Sequence, residues 1–274
     1  QGITAGTVWK YDDVGHTHGN NEELASLIGK GKFENPKGTK LIKQICKIAN
    51  SNNDLILDFF AGSGTTADAV MQLNAEDGGD RKYILVQLPE IIDTKKSKAA
   101  YDFVKDELKI EEPSIFEITK ERLIRASKKI QEENKDKDLS KQDLGFKIFE
   151  TMPIWEDYNF EADELEAQQM LLFDESKLTK EDIKALLVTW KTYDGVSLTE
   201  TLQEIDLVDY TGHYSNGKLY LMDKDFKTKN LKILLEKIDS DKTFNPTSII
   251  AFGYHFESKN LREISENMKS YINK

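Results

Sequence analysis

The residues from 55 to 69 constrain the fold of this 274-residue chain more than any other stretch. A short apolar run, Leu55 to Phe60, leads into Ala-Gly-Ser-Gly, and a helical pattern begins at once with Thr65 and Thr66. The run is too short for a helix and is bounded by turn-forming residues, so it predicts a buried strand. A strand, a glycine turn and a helix amino terminus bring backbone N–H groups and the helix dipole together, and this arrangement binds anions.

Two classes of ligand use this arrangement, and Asp58 separates them. The spacing Gly62-x-Gly64-x-x-Ala67 fits the fingerprint that binds the pyrophosphate of a dinucleotide, and the glycines let a ligand approach the backbone. Asp58, however, stands at the predicted tip of the strand, where its carboxylate repels a phosphate and attracts an ammonium group. A ligand that places a carboxylate on the helix and an ammonium group beside Asp58 is an amino acid, such as the methionine end of S-adenosylmethionine. We favour this ligand over a purely structural turn.

A second predicted strand, Tyr83 to Leu88, follows the helix and ends at Pro89 and Glu90. In nucleotide-binding α/β folds, an acid at the tip of the second strand accepts hydrogen bonds from ribose hydroxyls. Glu90 lies further along the chain than the usual spacing of about 20 residues from the glycine turn, and the acidic turn from 76 to 80 accounts for the extra length. We interpret Glu90 as a candidate ribose ligand, with an exposed glutamate after a proline as the alternative.

Three segments carry a resemblance to a known family. The stretch from Asp58 to Thr66 resembles the cofactor motif of amino-methylating DNA methyltransferases, and Asn35-Pro36-Lys37 resembles the Pro-Lys motif that precedes it in one circular order of these enzymes. Val86-Gln87-Leu88-Pro89-Glu90 is similar to the corresponding segment in the modification (Mod) subunits of type III restriction-modification systems. The chain is therefore identified by resemblance as the C-terminal part of such a subunit, which implies a beta-class adenine-N6 DNA methyltransferase.

The resemblance implies S-adenosyl-L-methionine as the cofactor. Asp58 and the backbone from Gly62 to Thr66 would hold its methionine end, Lys37 would flank that end, and Glu90 would bind its ribose. The cofactor-binding residues implied in this way are Lys37, Asp58, Phe59, Phe60, Ala61, Gly62, Ser63, Gly64, Thr65, Thr66 and Glu90.

Catalysis is expected to need residues that this sequence lacks. Methyl transfer to an exocyclic amine requires acceptors for the amino protons and an aromatic residue that stacks on a flipped base, and the family supplies them in an Asp/Asn/Ser-Pro-Pro-aromatic tetrapeptide. The five prolines of this chain are never adjacent, so we assign no catalytic residue and expect the chain alone to be inactive. For the full-length enzyme the resemblance implies double-stranded DNA bound through the missing half, a restriction subunit as partner, and a homodimer.

The charge of the chain gives no sign of a DNA-binding surface. The net charge is −11, of which −3 belongs to residues 1–150 and −8 to the remainder, whereas phosphate contacts require Lys and Arg. A single cysteine, Cys46, excludes an intramolecular disulfide and favours a cytoplasmic protein, and no apolar stretch is long enough to span a membrane. The predicted helix 119–134 carries a basic face that we interpret as solvated, formed by Lys120, Arg122, Arg125, Lys128 and Lys129.

We predict an α/β fold in two parts. Residues 1–155 would form a partial Rossmann-like methyltransferase sheet that binds the cofactor, and residues 156–274 a smaller α/β assembly or support domain. Beyond the elements given above, periodicity predicts helices at 93–108, 179–190, 199–205, 230–238 and 260–272 and strands at 145–149, 218–222 and 248–252. Two alternative functions stay open: a fragment of an NAD-type Rossmann oxidoreductase, which rests on the glycine spacing, and a non-catalytic assembly module.

Overall fold

The computed structural model describes residues 6–139, 142–151 and 178–272. The chain divides into two compact units, Gln1–Phe146 and Lys147–Lys274. Each unit combines helices with its own sheet, so the α/β class is confirmed. The predicted boundary after residue 155 lies outside the described residues and stays a prediction.

The first unit combines one parallel pair of strands with helices. Its elements are α1 Tyr11–Val14, α2 Thr17–Ile28, α3 Thr39–Ala49, β1 Leu55–Asp58, α4 Thr65–Asp77, β2 Lys82–Leu85, α5 Lys98–Asp102 with a π-helical continuation Phe103–Glu107, and α6 Ile115–Glu133. β1 and β2 are parallel, with Leu55 opposite Lys82 and Asp58 opposite Leu85, and α4 connects them. The strand, turn and helix predicted from the sequence are therefore confirmed.

Only one face of this pair of strands is covered by the described residues. Ile56 and Tyr83 pack against a cluster that includes Val70 and Leu73 of α4. The alternate residues face away from the helices, and their exposed fractions range from 42% to 59%; they are Leu55, Leu57, Ile84 and Val86. The prediction of a fully buried strand is wrong for this part of the chain, because a parallel sheet needs helices on both faces to bury both sets of side chains.

Two predicted elements of the first unit differ from the structure. The helix predicted at 93–108 begins only at Lys98, because the Asp93 carboxylate accepts the N–H groups of Lys95 and Lys96 at 2.8 and 3.3 Å and folds the preceding residues into a turn. The strand predicted at 145–149 has no regular secondary structure and no strand pairing among the described residues. Alternating hydrophobicity requires a neighbouring strand before it becomes a sheet.

The second unit packs helices on both faces of a mixed sheet. Its elements are α7 Lys180–Tyr193, β3 Gln203–Asp206, β4 Thr211–Ser215, β5 Lys218–Leu221, α8 Thr228–Ser240, β6 Ser248–Ala251, a 3₁₀ turn Gly253–His255, and α9 Ser258–Ile272. The strand order is β3-β4-β5-β6, with antiparallel pairs except for the parallel β5–β6 pair. Leu219 and Leu221 pack with α8 and α9 on one face, while Tyr220 packs with α7 on the other.

The helix predicted at 199–205 is wrong, because residues 203–206 form β3. The ammonium group of Lys191 donates hydrogen bonds to the carbonyls of Ser197, Leu198 and Glu200. Pairing with β4 places Ile205 in the core. Tertiary contacts therefore override the apolar spacing that predicted a short helix.

Candidate functional site

The glycine turn after β1 is closed by hydrogen bonds from its own backbone. Ala61 N donates to the carbonyl of Val86 at 3.1 Å, and Gly64 N donates to the carbonyl of Ala61 at 2.7 Å. Gly62 N donates to Oε1 of Gln87 at 2.8 Å. The segment that follows β2 therefore holds the turn in place, and Gln87 is a contributor that the sequence analysis did not assign.

Asp58 keeps part of its hydrogen-bonding capacity at the tip of β1. Its Oδ1 accepts the N–H of Phe60 at 3.0 Å, and its Oδ2 accepts the hydroxyl of Thr66 at 2.6 Å. A carboxylate offers about four acceptor positions, so these contacts orient the group and leave positions for an ammonium group. Phe59 and Phe60 lie beside it with exposed fractions of 63% and 91%.

The amino terminus of α4 offers unpaired backbone donors. Gly64 is the N-cap, at φ +78°, and no side chain caps the helix. The first hydrogen bond of the helix runs from Asp68 N to the carbonyl of Gly64 at 3.3 Å. The N–H groups of Thr65, Thr66 and Ala67 precede this bond, and such groups together with the helix dipole favour a carboxylate.

The missing side chain of Gly64 serves helix packing, whereas the sequence suggests that it serves the approach of a ligand. A Cβ at this position would lie 3.2 Å from Cγ2 of Thr119 and 3.3 Å from Cδ2 of Leu123. Both residues belong to α6, so the missing side chain at Gly64 allows α6 to approach the turn. A Cβ at Gly62, at φ +53°, would meet Phe33 at 3.5 Å.

The Pro-Lys segment contacts the turn through its backbone. The hydroxyl of Thr65 donates to the carbonyl of Lys37 at 3.1 Å. Thr39 N donates to the two carboxylate oxygens of Glu23 at 3.1 and 3.3 Å. Pro36 is buried, whereas the side chain of Lys37 is exposed. The structure therefore brings the predicted Lys37 position to the turn.

Glu90 lies beyond the same edge of the strands as Asp58. The register pairs Asp58 with Leu85, the last residue of β2, and the parallel direction sends both following segments to one side. The carbonyl of Glu90 accepts the N–H of Ile115 at 2.9 Å, while its side chain is exposed. None of the described contacts joins Glu90 to the glycine turn.

Among the residues at this site, Arg122 differs most from the environment predicted for it from the sequence. The prediction of a solvated side chain is wrong, because Arg122 is completely buried beneath the turn. Lys120, Arg125 and Lys129 do lie on an ion-paired surface, with Glu117, Glu121 and Glu133 as partners. Helical periodicity contains the signal that distinguishes Arg122, since it stands four residues from both Ile118 and Ala126 on the apolar stripe of α6.

Known protein families match both ends of the chain. Residues 1–90 match the DNA methylase family, and residues 181–274 match the Type III R-M EcoP15I C-terminal domain. The Type III restriction-modification enzyme EcoPI Mod subunit of Escherichia phage P1 is 42% identical over 255 residues, which are 92% of this chain and 37% of that protein. The EcoP15I Mod subunit of Escherichia coli is 39% identical over 243 residues, 88% of this chain and 34% of that protein.

The chain is thus similar to type III modification subunits over about nine tenths of its length. The StyLTI Mod subunit of Salmonella typhimurium is a further relative, 31% identical over 287 residues, with coverage of 94% of this chain and 42% of that protein. The chain thus spans between a third and about two fifths of the length of these modification subunits.

The DNA methylase match covers all of the predicted site residues from Lys37 to Glu90. Arg122 lies outside both matched ranges. Among residues 6–139, 142–151 and 178–272, no group of three or more His, Cys, Asp and Glu side chains is arranged to hold a metal ion. In the same part of the chain, no helix has the length and apolarity needed to cross a bilayer.

Proposed function

We propose that this chain forms the cofactor-binding part of a site-specific DNA adenine-N6 methyltransferase, the modification subunit of a type III restriction-modification system. The DNA methylase match over residues 1–90 and the similarity to three type III Mod subunits support this proposal. S-adenosyl-L-methionine would be the cofactor and the source of the methyl group.

One observation carries the choice of cofactor: Asp58 stands beside the uncapped amino terminus of α4. The helix terminus favours a carboxylate, and the free acceptor positions of Asp58 favour an ammonium group. Both groups are present on the methionine end of S-adenosylmethionine. A dinucleotide pyrophosphate would instead bring negative charge next to Asp58, which argues against the oxidoreductase alternative.

We assign the remaining cofactor roles by position. The amides of Thr65 and Thr66 would bind the carboxylate, while Ser63 and the glycines would shape the turn. Phe59, Phe60 and Ala61 would line the approach, Lys37 would flank the methionine end, and Glu90 would accept hydrogen bonds from the ribose hydroxyls. Residues 1–155 would complete the cofactor side of a Rossmann-like sheet.

The reaction itself would use groups that this chain does not provide. Its five prolines are never adjacent, so it has no Pro-Pro-aromatic tetrapeptide to hold a flipped adenine. The relatives are more than twice as long as the aligned region, and we propose that their additional length supplies catalysis and contact with double-stranded DNA. Residues 156–274 would serve assembly, both as a homodimer and with a restriction subunit, in the cytoplasm.

Calorimetry of the chain with S-adenosylhomocysteine and with NADH tests the cofactor. We expect S-adenosylhomocysteine to bind and NADH not to bind. Asp58→Asn removes the charge that faces the ammonium group, and since a hydrogen bond to a charged group contributes about 1.5–3 kcal/mol, the affinity would fall at least tenfold. Asp54→Asn is the matched control, because Asp54 precedes the amino end of the same strand and accepts hydrogen bonds from Ser51.

The outcomes of this titration separate the three functions. Binding of NADH in place of S-adenosylhomocysteine would favour an oxidoreductase. Binding of neither ligand would contradict the methyltransferase proposal and leave the assembly module. An equal loss of affinity in Asp54→Asn would show that the effect of Asp58→Asn is not local to the site.

A further inference from the structure

Arg122 uses all of its hydrogen-bonding capacity beneath the glycine turn. A guanidinium group has five N–H donors, and here five hydrogen bonds leave it. Nη1 donates to Ser63 Oγ at 2.8 Å and to Thr65 Oγ1 at 2.7 Å. Nε and Nη2 donate to Asp68 Oδ2 at 3.2 and 3.0 Å, and Nη2 also donates to Glu23 Oε1 at 3.3 Å. The side chain has no exposed surface.

These acceptors belong to three separate parts of the proposed cofactor site. Ser63 lies in the glycine turn, and Thr65 and Asp68 lie in the first turn of α4. Glu23 lies on α2, and its carboxylate also accepts the N–H of Thr39, two residues after Lys37. Arg122 itself belongs to α6. A single side chain thus connects the turn, the helix terminus and the Pro-Lys segment.

The guanidinium group also fixes the acceptor role of two hydroxyl groups. Because it can only donate, the oxygens of Ser63 and Thr65 must act as its acceptors. The proton of Thr65 is then directed to the carbonyl of Lys37, at 3.1 Å. The result is a chain of hydrogen bonds from Arg122 through Thr65 to the Pro-Lys segment, in which each bond polarises the next.

We propose that Arg122 is a positioning residue for the cofactor: it holds the glycine turn, the amino terminus of α4 and the Pro-Lys segment in the relative positions that binding requires. This inference rests on the proposed function, because it concerns the same site. Arg122 has no exposed surface and acts through Ser63, Thr65 and Glu23. The inference adds to the proposed site a residue that lies outside the range matched by the DNA methylase family.

The chain contains a matched control for this role. Arg81 is also buried, with an exposed fraction of 5%. It forms an ion pair with Asp77 at 2.9 Å and hydrogen bonds with Asn74 and Asn52, at the carboxyl end of α4. Arg81 and Arg122 therefore pair with acids at opposite ends of one helix, and only Arg122 touches the glycine turn. Loss of either arginine removes a buried guanidinium group and its ion pair, but only loss of Arg122 removes the contacts between the parts of the site.

The test compares Arg122→Met and Arg81→Met in the full chain, with S-adenosylhomocysteine affinity and thermal unfolding both measured. Arg122→Met would misplace the groups that bind the charged methionine end, and the loss of one hydrogen bond to a charged group weakens binding about ten- to a hundredfold. We expect a loss of this size at a temperature where the variant is folded. Arg81→Met should lower the melting temperature and leave the affinity within about twofold of wild type. Arg122→Lys should not restore binding, because an ammonium group has three donors and no planar fork.

A milder variant keeps the proposal testable if Arg122→Met does not fold. Glu23→Gln leaves the Arg122–Asp68 pair intact and weakens the contacts of Glu23 with Arg122 and with Thr39; we expect a severalfold loss of affinity with little change in melting temperature. Unchanged affinity in the folded Arg122 and Glu23 variants would overturn the positioning role alone, as would an equal loss in Arg81→Met. Absence of binding by the wild-type chain would instead overturn the proposed function and the inference with it.

Discussion

Gly64 and Gly78 stand at the two ends of α4, and both have left-handed backbone angles, φ +78° and φ +72°. A Cβ at Gly64 would approach Thr119 and Leu123, whereas a Cβ at Gly78 would meet nothing within 4 Å. The pair therefore separates the cost of a left-handed conformation from the cost of crowding. Both terms reduce the free energy of unfolding when alanine is introduced.

We expect Gly78→Ala to lower the free energy of unfolding by about 1–2 kcal/mol, which is the cost of a left-handed residue with a Cβ. Gly64→Ala adds crowding against α6, for a total of about 2–5 kcal/mol. Urea unfolding of the two variants measures the difference. Equal losses would show that α6 does not pack against the turn as closely as the structure has it.

Val208 is an exposed β-branched residue with φ +81° in the turn between β3 and β4. Such a conformation costs a non-glycine residue about 1–3 kcal/mol, and asparagine tolerates it better. We expect Val208→Asn to raise the free energy of unfolding by about 1 kcal/mol. The reverse change, Asn216→Val at φ +48° in the next turn, is the control and should destabilise. A loss of stability in Val208→Asn would show that the backbone of Val208 is not strained in the folded protein.

At the scale of elements, the described residues cover one apolar face of the pair of parallel strands and leave the other open. Leu57 is 49% exposed on the open face, and Leu73 is fully buried beneath the covered face. Leu57→Thr should change the free energy of unfolding by about 0.5 kcal/mol or less, whereas Leu73→Ala should cost about 2–5 kcal/mol. Chemical unfolding gives both values. A large cost for Leu57→Thr would show that the face is covered in solution, and sedimentation would then reveal whether a second copy covers it.

β4 carries a histidine whose environment predicts a dependence of stability on pH. Burial lowers the pKa of His213 below its ordinary 6.5, against the opposing influence of Asp223 and Glu204. Between the lowered pKa and 6.5 the unfolded chain binds the proton and the folded chain does not, so stability is lost as the pH falls through this range. His213→Gln should reduce the slope of unfolding free energy just below pH 6.5.

His18→Gln is the control for this measurement, because the His18 side chain is 78% exposed. An unchanged slope in His213→Gln would contradict the assignment of the pH dependence to β4.

At the scale of the whole molecule, we expect cofactor binding to affect the two compact units differently. All proposed cofactor residues lie in the unit Gln1–Phe146. Saturation at 100 times the dissociation constant stabilises a binding unit by about 2.7 kcal/mol. We expect S-adenosylhomocysteine to slow hydrogen exchange in residues 55–77 and 115–133 and to leave residues 203–272 unchanged. Protection confined to the second unit would contradict the location of the site.

Local residue order determined the element that organises the first unit. A short apolar run, two glycines at the required spacing and two threonines at the start of a helical pattern all lie within residues 55–69, so the local sequence alone indicates this element. The same holds for α7, α8 and α9, whose apolar periodicity alone locates them to within a few residues. The Pro-Lys segment and Asp58 were recognisable for the same reason.

Tertiary contacts decided what the local order left open. Ile205 lies in a strand because β4 pairs with it, and Gln87 closes the glycine turn because β2 runs parallel to β1. Arg122 is buried because four acceptors from distant parts of the chain surround it. A charged side chain can leave water only where such partners converge, and their convergence is a property of the fold rather than of the residues next to Arg122.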